Sequence, residues 1–114
     1  MNTVTSAEQN PGFQTLLCSP LAAAEGVEVL VSTVSISANT TPPLHWHPGE
    51  EFAFLLSGSV TLLQQGKPDV KAIAGDAVVV PHKQIHTIKT GDEGATVLIF
   101  SVHEKGQPER VLVG

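Results

Sequence analysis

The chain has 114 residues, with 6 Lys and Arg against 11 Asp and Glu, a formal net charge of −5. That length suits one ordinary core, the acidic balance is unsuited to tracking phosphates and argues against a nucleic-acid partner, and no apolar run approaches the roughly 20 residues that span a bilayer, so no membrane partner is expected. The opening Met-Asn-Thr-Val-Thr-Ser-Ala-Glu lacks the basic and then apolar regions of a secretory leader, and the single cysteine, Cys18, cannot form an internal disulfide, so a cytoplasmic protein is expected.

Residues 1–12 are read as a loosely ordered arm at the start of one domain spanning 1–114. Short apolar runs broken by Gly, Pro and Asp, with no sustained helical period, predict an all-β chain. Strands are expected at 13–18, 27–37, 44–47, 51–57, 59–65, 70–74, 77–80, 84–89, 95–102 and 110–113. Residues 20–25 begin with a proline that a helix start accepts, and are the one short helical candidate. Gln65-Gly66-Lys67-Pro68-Asp69 and Gly91-Asp92-Glu93-Gly94 read as hairpin turns, and Ala74-Gly75-Asp76 as a tighter one. Strands at this spacing fit a jelly roll or barrel.

The run His-Trp-His-Pro-Gly-Glu-Glu-Phe concentrates the chemistry. Side chains two apart on a strand share a face, so His45 and His47 point one way and Trp46 the other. Glu51 would lie about 13 Å further along a straight strand at roughly 3.3 Å per residue, too far to share a metal whose bonds are about 2 Å. The chain must therefore fold back. Pro48-Gly49 supplies the reversal, and Glu51 then opens a neighbouring strand facing the same interior. With His86, these side chains have the composition of a four-ligand metal site.

These residues resemble the cupin family, whose first motif is similar to Gly-x5-His-x-His-x3-Glu-x6-Gly. Here Asn39, His45, His47, Glu51 and Gly58 stand at those positions, with Asn39 in place of the leading glycine. The second motif is similar to Gly-x5-Pro-x-Gly-x2-His-x3-Asn, and Gly75, Pro81, Lys83, His86 and Thr90 occupy it, with Lys83 and Thr90 departing. The departures bear on turn geometry and spare the ligand positions. The resemblance covers residues 39–90. It implies a double-stranded β-helix or jelly-roll barrel in which His45, His47, Glu51 and His86 hold a divalent metal.

If Glu51 points inward, Ala53, Leu55 and Ser57 line the interior and Phe52, Phe54 and Leu56 point outward. An outward row this apolar calls for a cover, and a homodimer is predicted. The inward set, completed by Val78 or Val79, Ile85 or Ile88, and Ile99, makes a modest apolar pocket for a small-molecule ligand or substrate. Thr61, Ser57 and Gln84 are candidate neutral hydrogen-bonding groups. The one arginine, Arg110, lies far along the chain, which counts against a bidentate dicarboxylate site of the oxalate-decarboxylase kind. The absence of tyrosine disfavours the sugar-epimerising branch. His82 is read as a rim residue, His103 as solvated beside Glu104 and Lys105, Glu50 as a surface charge and Cys18 as a small hydrophobe.

Four protein ligands would close a tetrahedral zinc, whereas octahedral Fe, Mn, Ni or Co would keep two positions open. The octahedral ions are therefore favoured if the site is catalytic, with Zn as the structural alternative. Two functions are carried forward: a metal-dependent enzyme, which the resemblance to small cupins implies would be of oxygenase or isomerase type, or a non-catalytic binding and sensing module with the same metal site. A metal that only braces the barrel is the third reading. The residues name no catalytic group and no substrate.

Overall fold

The computed structural model describes residues 12–113. All but the last residue of the expected arm at 1–12 lies outside the described residues. Among the described residues there are eight strands: β1 Phe13–Pro20, β2 Val27–Ile36, β3 His45–Trp46, β4 Gly49–Gln64, β5 Val70–Ile73, β6 Ala77–Val80, β7 His86–Glu104 and β8 Val111–Leu112. Among the described residues there is no helix, and none long and apolar enough to cross a membrane. The helical candidate at 20–25 is instead the end of β1 and its turn, closed by Leu21 N–H donating to the Val27 carbonyl at 3.3 Å. With β1 and β2 already paired from Phe13↔Val34 to Pro20↔Glu28, those few residues serve as a hairpin loop.

The framework is the antiparallel ribbon of β4 and β7, paired from Gly49↔His103 to Gln64↔His86. β2 covers the other edge of β7, and β5 and β6 pair with successive halves of β4. The sheet curls around a core of Leu55, Val60, Ala72, Ala95 and Val97, with Val34, Ala53, Val78, Ile88 and Ile99 packed on it. The predicted hairpin at Gly91–Gly94 does not form: the segments on either side belong to one strand, β7, and pair with β4 rather than with each other, residues 91–94 lying opposite Ser59 at the register shift without β4 partners. Its physical cause is the length of β4, which accompanies both halves of β7 and shifts register at Leu55/Ser57 and Gly58/Val60. Bulges of this kind bend a ribbon without breaking it. Gly58, at φ 79°, makes the bend close, since a Cβ there would stand 2.0 Å from the Gly94 carbonyl oxygen.

The same bulge moves Ser57 from the predicted interior to the surface, while Ala53 and Leu55 face in as expected. Phe52, Phe54 and Leu56 are exposed at 42%, 40% and 47%, as the period of two requires. Phe100 and Val79 flank Phe52 on either side, so the apolar row widens into a face.

Two departures from the resembling motifs prove to be conformational substitutes. Asn39 and Lys83 have φ of 53° and 62°, and are the non-glycine residues with positive φ among those described. Each therefore takes up the left-handed geometry that the motif's glycine would adopt freely. Thr90, in the place of asparagine, is buried, and its hydroxyl accepts from Thr40 N–H at 2.9 Å and donates to the Ser37 carbonyl at 2.6 Å. It ties β7 to the 37–40 loop.

Candidate metal site

His45 and His86 are register partners across β3 and β7, and His47 follows two residues later, where the chain turns through Pro48 into β4. The structure thus brings three imidazoles together, with ring centroids 4.5 to 5.2 Å apart. Each offers a ring nitrogen, and these lie within 4.8 Å of one another, so the three-histidine group could hold a metal ion. Glu51 enters from β4 with Oε2 3.1 Å from His47 Nε2 and Oε1 3.6 Å from His86 Nε2. His47, Glu51 and His86 are 7%, 7% and 3% exposed.

The second nitrogen of every ring is committed. His45 Nδ1 donates to the Pro43 carbonyl at 2.9 Å, His47 Nδ1 to the Glu109 carbonyl at 2.9 Å, and His86 Nδ1 to the Gln84 carbonyl at 2.8 Å. A carbonyl can only accept, so Nδ1 carries a proton in all three rings and Nε2 is the atom left to face a metal, which on His47 must first displace the second proton that Glu51 and Glu109 favour. That is the arrangement metal-binding histidines adopt. His47 Nε2 is buried without a hydrogen-bond partner among the described residues, its approach to Glu51 falling outside hydrogen-bonding geometry. A buried orphan nitrogen costs free energy, and a cation among such donors would satisfy it.

The charges are arranged in opposition. Burial pushes His45 down to about 4, so it is neutral in ordinary buffers. For His47 burial also opposes the charge, but the carboxylates of Glu51 and Glu109 outweigh it and raise the group to about 9. Burial would raise Glu51, yet the His47 and His86 imidazoles hold it below the usual carboxylate range.

The cluster opens into a cavity of about 310 Å³ walled mostly by aliphatic side chains, among them Ala53, Leu55, Val78, Ile88 and Ile99. Val78 and Ile88 are the inward members of their pairs. Of the neutral polar groups expected there, Thr61, Ser57 and Gln84 do not line it; Ser35, Ser37 and Thr40 do. Arg110 also lines it, as does Glu109, whose carboxylate sits 3.4 Å from His47 Nδ1. Sequence reasoning left Arg110 unplaced and did not consider Glu109. The signal for both is non-local: Trp46 pairs with Val111, and Val113 N–H donates to the Leu44 carbonyl at 3.0 Å, returning this segment to the histidine strand.

His82 and Glu50 are exposed, as expected, and His82 Nε2 meets Glu104 Oε2 at 2.6 Å. His103, read as solvated, is 3% exposed. It stands opposite Gly49, and its Nε2 is 2.9 Å from the Gln107 carbonyl, which the turn after Glu104 folds back over it.

The profile of the Cupin domain family matches residues 32–102. The dimethylsulfoniopropionate lyase DddQ of Ruegeria pomeroyi is 35% identical over 58 residues, which is 51% of this chain and 29% of that protein. The chain therefore spans under a third of this curated relative's length. The crystal structure of the same lyase superposes with a TM-score of 0.64 at 27% identity, over 79% of this chain and 44% of that one. A cupin-like protein of Thermotoga maritima superposes with a TM-score of 0.66 at 18% identity, over 90% of this chain and 74% of the other. Together with the curled all-strand sheet, these likenesses establish the jelly-roll β-barrel.

Proposed function

We propose, from the premise that the chain belongs to the cupin family, that His45, His47, Glu51 and His86 together hold one divalent metal ion at the end of an apolar cavity, where a small organic molecule is bound and transformed. The observation that carries this reading is the set of three Nδ1–carbonyl hydrogen bonds that turn the Nε2 atoms towards one another, with His47 Nε2 left unpartnered. When bound, the ion supplies Lewis acidity. An octahedral Fe, Mn, Ni or Co would retain open positions beside the cavity, and zinc would close the site. The protein's own part is to fix the ring orientations through backbone carbonyls, and to exclude water with the aliphatic wall.

Oxygenation and isomerisation are the reaction classes that the resemblance to small cupins implies, and the activity named for the Ruegeria relative adds a lyase. A second reading, a binding and sensing module, is favoured by the aliphatic wall and the absence of tyrosine. We read 1–114 as one domain of a cytoplasmic protein, dimeric through the face of Phe52, Phe54, Leu56 and Phe100. The test is elemental analysis of untagged protein, purified without chelator, beside His86→Ala. Near-stoichiometric metal that is lost in the variant is expected; no metal in either sample after reconstitution would overturn the assignment. Product formation against a panel of small acids, phenols and diketones separates enzyme from binder, because a binder gives ligand-dependent thermal shifts alone.

A further inference from the structure

The cavity is lined by a cation that no described residue engages. Arg110 is the chain's single arginine and lines the same cavity as the histidine cluster. Both backbone neighbours are tied to the strand carrying the histidines: the Glu109 carbonyl accepts from His47 Nδ1, and Val111 pairs with Trp46. Arg110 is therefore anchored beside the cluster. Among the described residues its guanidinium has neither a carboxylate within 4.0 Å nor a hydrogen-bond acceptor, whereas the acids along the wall are engaged: Glu51 with His47 and His86, Glu109 with His47, and Asp76 with the Ile73 N–H.

An unpartnered guanidinium presents a planar fork of donors that matches a carboxylate in two hydrogen bonds. The remaining wall is aliphatic, and at about 30 Å³ for a water-sized group the cavity's 310 Å³ takes a molecule on the order of ten non-hydrogen atoms. We infer that the ligand of this site is a small monocarboxylate with a hydrocarbon body, its carboxylate held by Arg110 and its body lying against the wall formed by Ala53, Leu55, Val78 and Ile99. This deepens the reading given under Proposed function and rests on it for the chemistry, though not for the binding. The earlier argument against a carboxylate-binding arginine is reversed for a single carboxylate: the distance of Arg110 along the chain is cancelled by the return of its segment to β3. A dicarboxylate remains disfavoured, since no second free cation lines the cavity among the described residues.

The experiment titrates hexanoate and its neutral counterpart hexanamide into the full chain by calorimetry. It is run on zinc-loaded and chelated protein, for wild type, Arg110→Gln and Arg110→Lys, with zinc content measured in each. Wild type is expected to prefer the acid by about tenfold or more, the range of a charge-assisted pair. Arg110→Gln loses that preference while keeping its zinc and its hexanamide affinity, and Arg110→Lys, a point charge without the fork, recovers only part of it. Equal binding of acid and amide by wild type, or no binding of either, overturns the inference. So does a preference that survives in Arg110→Gln and vanishes with chelator, because the ion would then be the carboxylate's partner. Should wild type prefer the acid without ever taking up metal, the inference stands and the metal assignment falls.

Discussion

With metal chelated, the protein's stability should fall as pH rises from about 6.5 towards 9. The cause is His47, 7% exposed and flanked at 3.1 and 3.4 Å by the carboxylates of Glu51 and Glu109. Although burial opposes its charge, these carboxylates lift its pKa from the ordinary 6.5 to about 9. The folded protein thus keeps a proton that the unfolded chain has released. Stability from that proton is fully present below the unfolded value of 6.5 and is lost as pH rises through about 9. At 1.36 kcal/mol per pH unit the gap amounts to roughly 3 kcal/mol, a large part of an ordinary domain's stability. His45 acts with the opposite sign. Burial lowers it to about 4, so the unfolded chain takes up a proton first as pH falls below 6.5, and stability declines there too. A maximum near pH 6.5 follows. Urea unfolding in the presence of chelator, followed by circular dichroism at pH values from about 5 to 9, measures it, and the absence of tyrosine keeps phenol ionisation out of the alkaline limb. Replacing Glu51 with Gln should flatten that limb. A stability that stays level or climbs between pH 6.5 and 9 would refute the account of His47.

Other substitutions probe the frame. In Gly49→Ala the new Cβ would meet the Val102 carbonyl oxygen at 2.0 Å, forcing β4 off β7 beside Glu51; overpacking and the lost ladder bonds should together cost about 3 kcal/mol in denaturant titration, and metal affinity should fall with it. Lys83→Gly releases a left-handed residue at φ 62°; relief of about 1–2 kcal/mol less about 0.5–1 for glycine's chain entropy predicts a gain of up to roughly 1.5 kcal/mol, and a loss in the same titration would show Lys83 to be needed for another reason. Phe52→Lys places a charge in the exposed row of Phe52, Phe54, Leu56 and Phe100; sedimentation of wild type at micromolar concentration should show a dimer that the variant abolishes, and a monomeric wild type removes the proposed interface.

The site was legible where its geometry is local. The two-residue period places His45 with His47, the Pro48-Gly49 reversal brings Glu51 back to them, and the same period separates Ala53 and Leu55 from Phe52 and Phe54. Reading failed where a partner strand decides. Gly91–Gly94 has turn composition, yet the residues before and after it both pair with β4 and not with each other, and the bulge before Ser57 reverses a face that alternation alone puts inside. His103 stands among charged neighbours in sequence, but the turn after Glu104 brings the Gln107 carbonyl back to its ring, which is buried. Glu109 and Arg110 show no period and no motif, since their position comes from the pairing of β8 with β3.

That pairing bears on how the protein reaches its final state. β3 and β8 are strands of two residues each, and the bond from His47 Nδ1 to the Glu109 carbonyl spans 62 positions, so ring closure over a long stretch of chain must precede it. Metal capture should therefore be a late event in refolding, trailing the collapse of the barrel. Trp46, the chain's one tryptophan, sits between His45 and His47 and pairs with Val111, so its fluorescence reports the docking of β8 directly. A stopped-flow trace in which metal uptake keeps pace with that signal would make the ion a marker of completed molecules; uptake that precedes it would mean that the histidines assemble without their carbonyl support.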